Sequence, residues 1–121
     1  MISGQLSLAS QAQALREAGS PGVARLVQSA VEAHESVGKG LNAYKIWDAD
    51  RAIGQVEALD RLIATGADLG PLMGIPISVK DLFAVPSLPV FAGTDTEFPP
   101  AWNVPGPLVR RVLSQMGIVL G

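Results

Sequence analysis

The chain has 121 residues, a formal net charge of −2, 48% hydrophobic residues, no cysteine and a single histidine, His34. That length fits one domain or part of one. Without cysteine there are no disulfides, thiol nucleophiles or thiolate metal sites. One histidine leaves at most one candidate for a Ser-His-Asp triad or an imidazole metal site, and no Lys/Arg cluster marks nucleic acid as a partner.

The first twenty residues lack a basic start followed by a long apolar run, so no signal peptide is expected. No stretch approaches the roughly 20 apolar residues of a membrane span, and the expected location is the cytoplasm. The apolar composition also implies surface that something outside these residues would cover.

Residues 10–18 are predicted helical, with Ser10 as N-cap and Gly19 as stop. Ser20-Pro21 restarts the chain as a cap followed by proline at the first helical position. Val23, Leu26, Val27, Ala30, Val31 and His34 then recur at helical spacing, and Gly38-Lys39-Gly40 is predicted to end the helix. Asn42–Trp47 is short and aromatic, which predicts a strand. Asp48 or Asp50 caps the next helix, whose seam is Ala52, Val56, Leu59, Leu62 and Ile63 and whose end is Gly66.

The loop ADLGPLMG leads into a predicted strand, Ile75–Val79. Residues 84–106 are rich in Pro and Gly and read as an irregular loop. After Pro105 and Pro107, the apolar set Leu108, Val109, Val112, Leu113 and Met116 marks a helix stopped by Gly117. Ile118-Val119-Leu120 begins another strand. This order predicts an α/β fold with a partly parallel sheet. Such sheets need cover on both faces, and the few helices here suggest a piece of a larger domain.

Side chains alternate along a strand, so Ile75, Ile77 and Val79 share one face while Pro76, Ser78 and Lys80 share the other. Lys80 thus stands with Ser78 near the carboxyl end of the run, where open α/β sheets hold their ligands. Lys80 either emerges into water or is buried; a buried lysine loses its charge and can accept a proton from a serine hydroxyl. Ser78 itself is disfavoured as the nucleophile, because Cβ atoms two residues apart on a strand are roughly 6–7 Å apart. His34 reads as a semi-buried helix residue with a satisfied hydrogen bond. Ser87 reads as a turn residue, Asp81 as an orienting or strand-ending residue, and Asp95 and Glu97 as solvated loop acids. Trp47, Phe83, Phe91 and Trp102 read as packing residues, with Phe83 and Phe91 also placed to line a pocket after Lys80.

The segment GPLMGIPISVKDLF resembles the amidase signature family, whose members carry G-P-L-x-G-I-P-x-x-V-K-D. LNAYKIWDADRAIGQVEALDRLIATG is similar to the family's upstream segment, where an L-N-A-[FY] strand precedes an Ala-rich helix. GPLVRRVLSQMGIVLG resembles the downstream helix, glycine turn and V-x-G strand. The likeness covers about residues 5–121 and is most specific over 41–81; Pro105-Gly106 departs from the Asp-Ala that members often carry near that helix.

The resemblance implies an α/β fold with a large mixed sheet between helices, of which 1–121 is the N-terminal part. It implies hydrolysis of a carboxamide C–N bond through a Ser–cis-Ser–Lys triad, with Lys80 as the lysine and no cofactor or metal. Both family serines lie well downstream in Gly/Ser-rich segments that these 121 residues do not contain, so the fragment alone is expected to be inactive. The expected partners are a small-molecule amide, the remainder of the same enzyme and a second copy of the chain, with neither nucleic acid nor membrane. The alternatives are the A-type subunit of an aminoacyl-tRNA amidotransferase and a non-catalytic remnant or binding module.

Overall fold

The computed structural model describes residues 7–18 and 21–121, without the side chains of Ala18 and Pro21. The order is α1 (Leu8–Ala18), α2 (Pro21–Ala33), a π-helical turn (His34–Gly38), α3 (Lys39–Leu41), α4 (Ala49–Ala64), β1 (Pro76–Ile77), a 3₁₀ turn (Pro100–Trp102), α5 (Pro107–Ser114) and β2 (Ile118–Val119). The α/β class holds: helices pack on a small parallel sheet, in which Pro76 pairs with Ile118 and Ile77 with Val119.

The helix starts obey local chemistry, with one correction. Helix α1 begins at Leu8, and the Ser7 hydroxyl, not Ser10, accepts the Ser10 N–H at 3.1 Å. The stop at Gly19 and the cap at Ser20 lie outside the described residues, while Pro21 does open α2. Asp48 caps α4 by accepting the Arg51 N–H at 3.1 Å, which satisfies one of the helix's orphan donors. Gly66, at φ +82°, follows the end of α4 as expected.

Helix α2 does not end at Gly38. It passes through the π-helical turn into α3, and Asn42 at φ 50° closes it, a conformation asparagine tolerates better than most side chains. Around the turn, His34 stacks on Trp47 with ring centroids 3.9 Å apart and meets Tyr44 edge-on at 5.2 Å. Its Nδ1 has no hydrogen-bond partner, contrary to expectation. A Cβ on Gly38 would lie 2.6 Å from that nitrogen, so the glycine makes room for the ring.

The expected strand Asn42–Trp47 does not form. The Asp48 N–H bonds Leu120 O at 2.8 Å, but a ladder needs repeated pairs, and the ring of Trp47 is engaged with His34 and Tyr44. The Ile75–Val79 strand is shortened to Pro76–Ile77, although Val79 N–H still bonds Gly121 O at 2.9 Å.

Most of the buried apolar residues gather in one core. Val23, Ala52, Leu59 and Ile118 have no exposure there, and Leu15, Val27, Val56, Met73, Ile75 and Leu120 join them. This is the seam that helical spacing predicts for α2 and α4. Fully burying one such Leu or Ile stabilises the fold by about 1.5–3 kcal/mol. Gly74 sits against this core at φ +75°, and a Cβ there would lie 2.8 Å from a Val23 methyl.

A second cluster joins Val85, Leu88, Val109 and Val119. On α5, Val109 is buried but Leu108 is 63% exposed, so the apolar stripe is narrower than its sequence suggests. The left-handed residue after α5 is Met116, at φ 55°, rather than Gly117. Gly117 permits close approach instead: a Cβ would lie 2.9 Å from both Ile77 and Val112.

Candidate functional site

Beyond the carboxyl end of β1 the chain opens a cleft of about 640 Å³. Its polar side chains come from two segments: Tyr44 and Lys45 before α4, and Ser78, Lys80 and Asp81 after β1. Leu82, Phe83, Val85 and Leu88 add an apolar wall. Apolar walls with a few convergent polar groups are usual for small-molecule sites. Among the described residues no three His, Cys, Asp or Glu side chains gather into a metal-ligating cluster.

The alternation read from sequence holds in part at the site, since Val79 lines the cleft beside Ser78 and Lys80. Ser78 and Lys80 are both exposed and both line the cleft, while Ile75 is 2% exposed in the main core. Lys80 therefore emerges into the cleft rather than being buried. Its side chain enters no hydrogen bond or ion pair among the described residues. The Ser78 hydroxyl is hydrogen-bonded to the Tyr44 hydroxyl, which ties the two walls together.

Asp81 does more than end a strand. Its carboxylate accepts the Phe91 N–H at 2.8 Å and the Gly93 N–H at 3.4 Å, reaching across ten and twelve residues. Burial pushes its pKa up, but the N–H groups of Phe91, Gly93 and Ala92 and the charge of Lys45 outweigh burial and hold it below the ordinary carboxylate range. Asp81 thus stays ionised and pins the loop that follows Lys80.

That loop carries more order than its Pro/Gly content implies. Ser87, at φ 72°, occupies the third position of a turn closed by Leu88 N–H to Val85 O at 3.0 Å, with Pro86 before it. The turn drives Val85 and Leu88 inward, and Asn103 Nδ2 donates to Leu88 O at 2.7 Å. Asp95 and Glu97 are exposed, as expected. Phe83 lines the cleft; the Phe91 ring instead holds the Lys45 ammonium 4.6 Å from its centroid. A contact of this kind contributes about 0.5–1 kcal/mol at an exposed site. Trp102 is 68% exposed and meets Phe98 edge-on.

Lys45, Tyr44 and the clamping role of Asp81 were not singled out from sequence. The sequence signal was slight: Lys45 is a lone cation inside an aromatic run, and its neighbour in the fold is 46 positions away.

A short parallel-paired strand, with Gly74 before it and Ser78 and Lys80 after it, opens onto a cleft at its carboxyl end, where open α/β folds hold their ligands. The family model for Amidase matches residues 25–120, and the chain belongs to that family. Over all 121 residues it is 50% identical to a 2-amino-5-chloromuconic acid deaminase of Comamonas testosteroni, of which it covers 26%. It is 31% identical, over 110 residues, to the A-type subunit of the glutamyl-tRNA(Gln) amidotransferase of Geobacter sulfurreducens, covering 89% of this chain and 21% of that one. A crystal structure of an amidase superposes with a TM-score of 0.77 at 28% identity, over 93% of this chain and 26% of that one. The chain therefore spans about a quarter of the length of the relatives it matches.

Proposed function

We propose that residues 1–121 are the N-terminal part of an amidase-type hydrolase that cleaves a carboxamide C–N bond, with Lys80 as the base of a Ser–cis-Ser–Lys triad. The observation that carries this reading is the position of Lys80, unpaired and at the mouth of a cleft beyond the parallel strand, in a chain of the Amidase family. In the proposed reaction the Lys80 amine receives a proton through a bridging serine as a second serine attacks the carbonyl carbon. Backbone N–H groups hold the resulting oxyanion, the amine leaves with a proton, and water releases the acyl group.

The two serines belong, in this reading, to sequence beyond these residues. Lys80 is exposed here, and a lysine base must be neutral to act, so that further sequence is also assigned the task of covering it. The 121 residues alone are accordingly inactive, and the working enzyme is assigned to the cytoplasm.

The hydrolase reading is preferred to the amidotransferase one on extent of likeness. Identity to the deaminase is 50% along the whole chain, against 31% over 110 residues for the amidotransferase relative. The deaminase's named substrate is a carboxylic acid bearing an amino group. For this chain, that supports a small organic acid with a hydrolysable C–N bond.

Two measurements test the proposal. Sequence following Gly121 in the gene should encode an in-frame Gly/Ser-rich segment with two serines; a stop codon there supports a non-catalytic remnant instead. In the full natural chain that carries residues 1–121, Lys80→Ala should abolish C–N hydrolysis and leave the circular dichroism spectrum unchanged. Near-normal turnover in that variant would remove Lys80 from the mechanism.

A further inference from the structure

Three charged side chains line the cleft. Lys80 is the proposed base, and Asp81 is tied to the loop through the Phe91 and Gly93 N–H groups. Lys45 acts on Asp81 through its charge but makes no hydrogen bond or ion pair with it. It is exposed, it enters none of the ion pairs among the described residues, and its ammonium lies over the Phe91 ring. A ring face attracts the cation but leaves its three N–H donors without an oxygen acceptor, so they are open to one from the cleft.

The placement is also directed. Asp81 orders the backbone at Phe91, and the Phe91 ring then meets Lys45, so the same carboxylate that pins the loop indirectly positions a second cation in the cleft. Lys45 and Lys80 reach that cleft from different chain segments, with the apolar wall of Leu82, Phe83 and Leu88 beside them. A ligand with an anionic end and an uncharged aliphatic body complements this lining.

We infer that Lys45 is a specificity-determining residue that binds a substrate carboxylate, so that the substrate is a small aliphatic acid carrying its scissile C–N bond away from that carboxylate. This deepens the function proposed above and rests on the same cleft being the substrate site. An ammonium–carboxylate contact is charge-assisted and therefore among the stronger hydrogen bonds available to a small ligand.

The test measures binding rather than turnover, on the full natural chain that carries residues 1–121. Calorimetric titration compares adipamic acid, which has one carboxylate and one carboxamide, with adipamide, the uncharged diamide of the same skeleton. The wild-type protein should bind adipamic acid about 10-fold or more tightly than adipamide, the scale of a hydrogen bond to a charged group. Lys45→Met keeps the aliphatic stem and should erase that ratio while leaving adipamide affinity unchanged; Lys45→Arg should retain the preference.

No preference in the wild type, a preference that survives Lys45→Met, or equal loss of both ligands in that variant would each overturn the inference. So would absence of measurable adipamic acid binding. If Lys45→Met does not fold, Lys45→Gln and the weakening of the wild-type ratio by added salt give the same readout. Lys80→Ala separates the two ideas: hydrolysis that persists in it removes the triad reading, while the binding ratio continues to judge Lys45 alone.

Discussion

The core around Leu59 and the small cluster around Leu88 hold their chain segments by different means. The first joins helix seams to the sheet, so its burial is spread over many residues, several of them with no exposure at all. The second has four buried members, and its loop depends on individual polar bonds from Asp81 and Asn103. The difference teaches where change is tolerated. Substitutions in the helical region act on stability, whereas those near the cleft act on the site with the scaffold standing.

The largest expected effect sharpens that division. In the full natural chain, Lys80→Ala should lower C–N hydrolysis by about 10²–10⁴-fold or more, the range of a lost proton-transfer group, with no change in the denaturation midpoint. Leu59→Ala should do the reverse. It should cost about 2–5 kcal/mol of stability, read by urea unfolding, because a fully buried side chain leaves a cavity in a packed core. A large stability loss in the first variant, or none in the second, would break the comparison.

Gly74→Ala probes the main core where the loop before β1 meets it. The new methyl group meets Val23 at 2.8 Å on a backbone with φ +75°, and a loss of about 1–3 kcal/mol is expected. Asp81→Ala should cost less globally but more locally. Hydrogen exchange at the Phe91 and Gly93 amides should speed up by about 10-fold, on the scale of one hydrogen bond, while amides in α4 remain protected.

The smallest effect lies on the helical side. Arg16 holds Asp68 through two hydrogen bonds of 2.7 and 2.8 Å and lowers the Asp68 pKa from 3.8 to about 2, helped by the Gly70 N–H. A depressed carboxylate pKa means that the pair's contribution is complete above pH 3.8 and is lost as pH falls through about 2. Both groups are exposed, so Arg16→Ala should leave the unfolding midpoint at pH 7 nearly unmoved. The same variant should return the Asp68 titration, followed by carboxyl NMR, toward its ordinary value.

Much of this molecule was legible before its structure. Helical spacing marked the seams of α2 and α4, capping chemistry identified Asp48, and strand alternation aimed Ser78 and Lys80 in one direction. The likeness in GPLMGIPISVKDLF led to the family to which the chain belongs. These signals are local, arising from backbone geometry and neighbours within a few residues.

Long-range relations were another matter. Asn42–Trp47 has strand-forming side chains, yet only repeated backbone partners make a strand, and the fold supplies Asp48 with a single bond to Leu120. Leu108 shares its helix with Val109, but only Val109 meets the second cluster. The order in the Pro/Gly-rich loop depends on Asp81 finding Phe91 and Gly93, and the placement of Lys45 depends on the ring that this clamp orients. By itself, the sequence determined the periodic helix seams, the direction of Lys80 and the family likeness, because each is written in short-range spacing. Tertiary structure alone decided which apolar residues are covered and which cations share the cleft, because distant segments must first be brought together before their burial and charges can interact.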